Sequence, residues 1–350
     1  MNPSVHLNGL ASALLPWFYR NKRDLPWRQD RDPYHIWLSE IMLQQTRVEA
    51  VKGYYTRFIS LLPDIYAVSQ AEDGLLNKLW EGLGYYCRVR NLKKAAVLIQ
   101  ENYDGKFPEE YDSVLSLPGI GEYTAGAICS IAFNQKTPAV DGNVLRVFSR
   151  ITDDPTPVDL PEMKKKAAEA LREIYPEEAG DFTQALMELG ATVCGPNKKP
   201  DCENCPCNGF CLGYQRNTAE SLPVKLPKKQ RREENMTVFV LHCDGRYALQ
   251  KRENEGLLAG LWQFPNVPGH LELNEVIDVL TKEGIQVKDI LRQVDKKHIF
   301  THIQWNMRGY YLDVACSDDI FQWFAPLEIR MDAALPTAFR QFWEDVDNTP

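Results

Sequence analysis

The feature that most constrains the fold of this chain is the continuous stretch 117–150, which reads LPGIGEYTAGAICSIAFNQKTPAVDGNVLRVFSR. Its first part places Gly119 and Gly121 in a tight turn before a helix of small apolar residues, and a second helix begins beside Asp141. Glycine supplies the positive φ angles that a tight turn needs, and amides at a helix N-terminus bind anions such as a phosphate diester. The stretch therefore predicts a hairpin between helices that binds a phosphodiester backbone without recognising its base sequence.

Two carboxylates are candidates for chemistry. Glu40 lies among apolar residues of a predicted helix over 36–46, where desolvation would raise its pKa as a general acid requires. The alternative is that Glu40 lies on the solvated face of an amphipathic helix. Asp141, taken alone, is most simply the N-cap of the helix that it precedes. The residues by themselves leave both questions open.

Composition bounds the class of protein. The 350 residues are 44% apolar, no apolar run is long enough to cross a bilayer, and the first residues lack the layout of a secretory signal. We therefore expect a soluble cytoplasmic protein of two domains. In such a protein the nine cysteines are expected as metal ligands rather than disulfides.

The charge is uneven along the chain. The net charge of −8 comes from residues 233–350, which hold 11 basic and 19 acidic side chains, whereas residues 1–232 hold 29 of each. The charge therefore permits a nucleic-acid partner, provided that binding rests on local basic clusters.

Periodicity divides the chain. Helical patterns fill roughly the first two hundred residues, and alternating strands with one helix follow, so that an all-α domain over 1–216, a linker over 217–235 and an α+β domain over 236–350 are predicted.

Four blocks occur in the order typical of one known family: Ser39-Glu40 with Gln44-Gln45-Thr46, Gly82–Tyr86, the Leu117–Gly121 hairpin, and Val140–Asn143. From about residue 10 to residue 340 the chain resembles the MutY family of adenine DNA glycosylases, within the helix-hairpin-helix superfamily. The resemblance implies a six-helix core over about 29–136, a cluster subdomain from 1–28 plus 137–216, and a Nudix-like α+β domain. It also implies a monomer, with no membrane partner, that excises adenine mispaired with 8-oxoguanine or guanine in double-stranded DNA.

The resemblance assigns roles residue by residue. Glu40 is expected as the acid and Asp141 as the carboxylate facing the deoxyribose, assisted by Tyr123 and Asn143. The remaining assignments are the adenine pocket at Arg23, Leu25, Trp27, Arg28 and Gln184, DNA contacts at Gln45, Leu83, Tyr85, Gly119 and Gly121, and 8-oxoguanine recognition at Phe300, Thr301 and His302. For the last group the alternative is that Phe300 is a core residue and His302 a strand-end histidine.

Tyr123 bears on the reaction type. Endonuclease III-like relatives place there a lysine that forms a Schiff base and cleaves the strand, and tyrosine cannot form an imine. A bifunctional glycosylase/lyase for oxidised pyrimidines and a non-catalytic mismatch-binding or nucleotide-sanitising protein remain as alternatives.

Five cysteines lie close together between Cys194 and Cys211. Four of them, Cys194, Cys202, Cys205 and Cys211, resemble the loop that holds one [4Fe–4S] cluster in this family. The first gap of seven residues is one longer than the family's six, and Cys207 is an additional thiol that could replace Cys194. A zinc ion in four thiolates is the chemical alternative.

The second domain lacks the residues with which a Nudix hydrolase binds its metal ion. The helix predicted over 273–284 has no Arg-Glu-x-x-Glu-Glu run to hold Mg²⁺, so that a binding module is expected rather than a pyrophosphatase.

Overall fold

The computed structural model describes residues 7–196, 199–227, 230–316 and 321–347. The chain divides into two units: one holds the described part of Met1–Gln70 together with Asn91–Pro227, and the other holds Ala71–Arg90 together with the described part of Lys228–Pro350. No helix in the described ranges combines the length and the apolar character that a bilayer span requires.

The first unit is helical, as the periodicity predicted. Its helices are α1 (Leu10–Asn21), α2 (Pro33–Leu43), α3 (Val48–Leu61), α4 (Ile65–Gln70), α7 (Tyr111–Leu115), α8 (Glu122–Ile131), α9 (Gly142–Thr152), α10 (Pro161–Arg172), α11 (Ala179–Thr192) and α12 (Leu212–Gln215), with a 3₁₀ turn over Pro26–Arg28. Helix α5 (Asp73–Leu79) belongs to the second unit, and α6 (Cys87–Tyr103) begins there and continues into the first.

A capping side chain and a proline determine where α2, the helix that carries Glu40, begins. Asp32 caps α2, because its side chain accepts from the Tyr34 amide at 2.8 Å and Pro33 supplies the fixed φ of the first turn. Helix α2 is buried nearly all round, since Ile36, Trp37 and Leu38 are all within the core. A carboxylate on this helix therefore has no solvated face to occupy.

A second core joins α1, α9, α10 and α11 around Leu14, Phe148, Met163 and Phe182. Gly190 on α11 lets that helix approach α9 closely, because a Cβ on it would lie 2.7 Å from Asn143 Cβ. This contact fixes the start of α9, where Asp141 lies, against α11.

The second unit contains a mixed sheet in the order β3-β2-β1-β6-β5, in which β4 also pairs with β1 and β7 with β2. Its elements are β1 (Arg232–Cys243), β2 (Arg246–Lys251), β3 (Trp262–Gln263), β4 (Asn266–Pro268), α13 (Leu273–Lys282), β5 (Val287–Ile299), β6 (Ile303–Val314), β7 (Gln322–Phe324), α14 (Pro326–Met331) and α15 (Thr337–Asp347).

Strand β1 is buried on both faces. Val238 and Val240 pack in a core with α14 and α15, whereas Phe239 and Leu241 pack in a core with α13. Burial on both faces is typical of a strand paired in parallel, and β1 runs parallel to β6. Strand β1 begins at Arg232, inside the predicted linker.

One pair of cysteines contradicts the expectation that the cysteines of this chain are metal ligands rather than disulfides. Cys243 at the end of β1 and Cys316 after β6 form a disulfide, with their Cα atoms 5.6 Å apart. Seven other cysteines are free thiols.

Candidate active site

A cavity of about 480 Å³ in the first unit contains most of the residues predicted for catalysis. It is formed by the 3₁₀ turn, α2, the start of α8, the start of α9, and α11. The predicted residues that line it are Glu40, Tyr123, Asp141, Asn143, Arg23, Leu25, Trp27, Arg28, Gln184 and Gln45. The fold thus brings the two carboxylates, 101 positions apart in the chain, to one space of a size typical for ligand pockets.

Glu40 is buried, with 6% of its surface exposed. The Tyr123 hydroxyl donates a hydrogen bond to Glu40 Oε2. Burial raises the pKa of Glu40 from 4.5 to about 7; the bond from Tyr123 lowers it and the Asp141 carboxylate raises it further. The alternative that Glu40 lies on the solvated face of its helix is therefore wrong, and the expectation that burial raises its pKa is confirmed.

Asp141 is both the N-cap of α9 and a residue of the cavity. Its Oδ1 accepts from the Val144 amide at 2.7 Å, and its Oδ2 accepts from Asn143 Nδ2 at 2.7 Å. Burial raises the pKa of Asp141, and these two bonds lower it. Because a capping carboxylate here also lines the cavity, the capping role and the chemical role are compatible.

Asn143 is itself oriented. Arg146 donates from Nη2 to Asn143 Oδ1 at 2.8 Å and to the Gly190 carbonyl oxygen at 2.6 Å. An amide whose oxygen is occupied in this way must present its nitrogen to Asp141. The orientation of Asn143 toward the Asp141 carboxylate therefore depends on buried Arg146, to which the sequence analysis assigned no role.

Glu188 is a cavity residue that the sequence analysis missed. Its side chain is completely buried, and Arg23 donates to it from Nε at 2.7 Å and Arg28 from Nη2 at 2.8 Å. Burial alone would raise the pKa of Glu188, but the bonds from the two arginines outweigh it and the pKa lies below its ordinary value. The signal available in the sequence was a glutamate inside the apolar run Ala185–Leu189.

The hairpin glycines differ from each other. Gly119 has φ +80°, and a Cβ there would lie 2.8 Å from Asn91 Cβ, so that both its conformation and its surroundings require glycine. Gly121 has φ −105°, which any residue adopts, and nothing lies within 4 Å of a Cβ built on it. The expectation of positive φ therefore holds for Gly119 and is wrong for Gly121, which leaves an open approach to the α8 N-terminus.

Two of the predicted DNA-contacting residues share an unusual backbone. Gln45 has φ 57° and Tyr85 has φ 49°, both in the left-handed region that disfavours residues with a Cβ. Such strain is found at functional sites, where the surrounding structure holds it. Leu83 has only 7% of its surface exposed, so that its side chain is part of the core of the second unit.

The loop between β5 and β6 carries the residues predicted for 8-oxoguanine recognition. Phe300 closes this turn with a hydrogen bond from its amide to the Ile303 carbonyl oxygen at 2.8 Å, and its ring packs on Trp305 at 4.8 Å between centroids. Thr301 and His302 are exposed at the tip. Phe300 is thus partly a core residue, and the other two side chains face outward.

The five cysteines from Cys194 to Cys211 surround a small cavity together with Arg150. Arg150 Nη1 donates to Cys194 Sγ at 3.2 Å and to the Cys194 carbonyl oxygen at 3.1 Å. Among the described residues, no three of these sulfur atoms lie within 4.8 Å of one another. A single zinc ion holds thiolates at about 2.3 Å, and hence about 4 Å from each other, so that this arrangement fits a larger polynuclear group better than zinc.

Within the described ranges, ligand atoms of Cys243, Asp244 and Cys316 do lie close enough together for a metal ion. Because the two sulfur atoms of that set form the disulfide, they are not available as thiolate ligands.

Comparisons with known proteins agree with this architecture. Residues 38–177 match the family described as HhH-GPD superfamily base excision DNA repair protein, and residues 237–345 match the NUDIX domain family. A solved structure of a thermostable thymine-DNA glycosylase is 29% identical, with a TM-score of 0.55 over 62% of this chain and all of that chain. Fold and site together define a helix-hairpin-helix base-excision protein followed by a Nudix-like domain.

Two curated relatives narrow the class. The adenine DNA glycosylase of Mus musculus is 38% identical over 87% of this chain and 71% of that protein. The adenine DNA glycosylase of Arabidopsis thaliana is 38% identical over 84% of this chain, and the match spans 55% of the plant protein's length. The chain belongs to the family of adenine DNA glycosylases.

Proposed function

We propose that this chain hydrolyses the N-glycosidic bond of adenine mispaired with 8-oxoguanine or guanine in duplex DNA, with Glu40 as general acid and Asp141 as the stabiliser of the sugar cation. The observation that supports this most directly is that both carboxylates line one cavity in different environments. Glu40 has a pKa of about 7, whereas both oxygens of Asp141 accept hydrogen bonds. Paired carboxylates with separate environments are the acid–base arrangement of glycoside hydrolysis.

Glu40 supplies the proton. Adenine is a poor leaving group as an anion, and protonation at N7 lets the base depart neutral. A pKa of about 7 keeps a large share of Glu40 protonated at neutral pH while leaving the proton transferable. The hydrogen bond from Tyr123 fixes the carboxyl group in the cavity.

Asp141 faces the developing charge. As the glycosidic bond breaks, the deoxyribose becomes oxocarbenium-like, and a nearby carboxylate stabilises that cation or captures it until water attacks. The bonds from the Val144 amide and from Asn143 hold the carboxylate in place before the reaction, so that no reorganisation is needed when charge develops.

The adenine must leave the helical stack to reach these groups, since its N7 and the sugar C1′ are inaccessible in a duplex. The cavity volume of about 480 Å³ has room for a purine base. Leu25, Trp27 and Gln184 line this space and are proposed to contact the extruded base.

The reaction is tested by release of free adenine from a defined mismatch, with and without alkaline treatment of the DNA. We expect adenine release and strand breakage only after alkali. Breakage without alkali would favour the bifunctional lyase, and no release of adenine would favour a non-catalytic mismatch-binding protein. Asp141→Asn is expected to retain affinity for an adenine:8-oxoguanine duplex and to lose excision.

The second unit is proposed to recognise the base opposite adenine. Thr301 and His302 are exposed at the tip of the β5–β6 turn, and the Thr301 hydroxyl can donate and accept a hydrogen bond. Thr301→Val is expected to reduce the preference for 8-oxoguanine over guanine while adenine excision opposite guanine continues. An unchanged preference would assign recognition to other residues.

We propose that Cys194, Cys202, Cys205 and Cys211 hold one [4Fe–4S] cluster. When bound, the group cross-links the loop over 194–211 and so supports the DNA-binding face. The expected analysis is iron and acid-labile sulfide in a ratio of about one to one, retained in Cys207→Ser and lost in Cys202→Ser. Stoichiometric zinc instead of iron, or loss of iron in Cys207→Ser alone, would contradict this ligand set.

A further inference from the structure

The loop that carries Tyr85 is packed with the Nudix-like fold, although it lies within the glycosylase family match. Residues Ala71–Arg90 belong to the second unit, and the Tyr85 hydroxyl lies 2.7 Å from Thr301 Oγ1. Tyr85, expected to contact DNA, and Thr301, proposed to recognise the opposite base, lie 216 positions apart in the chain and are thus in direct hydrogen-bond contact.

Lys78 on α5 and Glu81, two residues beyond the end of that helix, anchor this loop at one end. Lys78 Nζ donates to the carbonyl oxygens of Ile329 at 3.3 Å and Ala333 at 3.2 Å. Its third partner is Glu81 Oε2 at 2.8 Å, and the other oxygen of Glu81 accepts from the Leu335 amide at 2.9 Å. All three N–H groups of the Lys78 ammonium therefore donate, and both carboxylate oxygens of Glu81 accept. The two side chains are largely buried.

Arg90 anchors the other end. Its Nη1 donates to the Ala259 carbonyl oxygen at 2.7 Å. Between the anchors, Arg88 lies over the Trp80 ring at 5.3 Å and over the Tyr85 ring at 5.6 Å from each centroid. Trp80 Nε1 in turn donates to the Gly84 carbonyl oxygen at 3.1 Å.

This arrangement accounts for the strained backbone of Tyr85. A non-glycine residue at φ 49° persists only where its surroundings over-determine it. The anchors on both sides tie the loop to backbone groups of the Nudix-like fold. Arg88, a residue of the loop itself, adds its contacts with Trp80 and Tyr85 to that constraint. The position and orientation of the Tyr85 ring are therefore set by the same unit that carries Thr301.

We propose that Lys78, Glu81 and Arg90 are positioning residues for discrimination between 8-oxoguanine and guanine, because they hold the Tyr85 loop in register with the turn that bears Thr301. The proposal rests on the proposed function and adds to it three residues that do not touch the substrate. A merely structural role would lower excision from both mismatches equally. A positioning role lowers excision opposite 8-oxoguanine selectively.

The test compares full-length Lys78→Met with the control Lys282→Met, an exposed lysine of α13 in the same unit. Single-turnover adenine excision is measured opposite 8-oxoguanine and opposite guanine. Loss of one anchoring hydrogen-bond group is expected to reduce the ratio of the two rates by about tenfold, and Lys282→Met is expected to keep it. A double-mutant cycle with Thr301→Val adds a second readout, since the effect of Lys78→Met should largely vanish when the Thr301 hydroxyl is absent.

Hydrogen exchange of peptides from residues 71–90 reports the anchoring without reference to catalysis. Exchange is expected to be faster in Lys78→Met and unchanged in Lys282→Met. An unchanged rate ratio in Lys78→Met, an equal fall on both substrates, or unchanged exchange would each overturn the inference. A wild-type enzyme that shows no preference for 8-oxoguanine would instead overturn the proposed function, and this is visible before any variant is compared.

Discussion

Replacement of Glu40 by glutamine tests the central carboxyl group through stability as well as activity. The pKa of Glu40 is about 7 in the folded protein against an ordinary 4.5, because the side chain is buried. Between these values the folded state keeps a proton that the unfolded state has lost, so that stability falls as pH rises. Each pH unit costs about 1.4 kcal/mol, which amounts to about 3 kcal/mol over the whole window and about 2 kcal/mol between pH 5.5 and 7.

The assay is urea unfolding of the wild type and of Glu40→Gln at a series of pH values from 5.5 to 8.5. Glutamine has no proton to lose, so that the difference in unfolding free energy between the two proteins isolates the contribution of Glu40. We expect the wild type to lose about 2 kcal/mol relative to the variant from pH 5.5 to 7 and no further difference to develop well above pH 7. Excision should fall about tenfold per pH unit above 7 in the wild type, because the acid is then ionised.

The reasoning would be refuted by a constant stability difference across this range, since that outcome places the Glu40 pKa outside it. It would also be refuted if Glu40→Gln excised adenine at the wild-type rate. The expected loss for removal of a general acid is about 10²- to 10⁴-fold.

Further predictions concern the contacts around the cavity. Tyr123→Phe removes a hydrogen bond that lowers the pKa of Glu40, so that the alkaline limb of the excision profile should move to higher pH. Gly190→Ala places a Cβ 2.7 Å from a side-chain carbon of α9 and should cost about 1–3 kcal/mol of unfolding free energy together with reduced excision. Its control, Gly53→Ala, has nothing within 4 Å of the new methyl group and should be neutral or stabilising by up to about 1 kcal/mol. Glu188→Ala leaves two arginines without their buried partner and should cost about 3 kcal/mol or more by chemical denaturation.

Each of these has an outcome that counts against it. An alkaline limb that stays in place or moves to lower pH in Tyr123→Phe would show that the phenol does not stabilise the ionised carboxylate. Equal stability of Gly190→Ala and Gly53→Ala would show that the approach of α11 to α9 is looser than the 2.7 Å contact implies. A fully stable Glu188→Ala would show that water replaces the lost carboxylate without cost.

The sequence was sufficient for the helical and strand segments whose patterns are local. Periodicity predicted a helical first part of the chain, and alternation predicted the strands that follow it. It was less informative for the first part of β5, where residues 287–294 (VKDILRQV) do not alternate between apolar and polar side chains. That part of the strand is specified by its pairing with β6 rather than by its own pattern.

For the site, the motifs named Glu40 and Asp141 but could not state their environments. Glu40 accepts a hydrogen bond from Tyr123, 83 positions away, and the pairing of Arg23 with Glu188 joins residues 165 positions apart. Periodicity describes one element at a time, and a pKa depends on every charge and every non-polar atom that packs around the group.

The sequence alone determined which chemical groups are available: two carboxylates, a tyrosine in place of a lysine, a loop of thiols and a glycine turn. Tertiary structure decided which groups meet, because burial, hydrogen-bond partners and the strained backbone at Tyr85 arise from contacts between distant segments. The clearest case is the assignment of residues 71–90 to the unit that contains the sheet. That assignment follows from packing, and no local pattern in those residues indicates it.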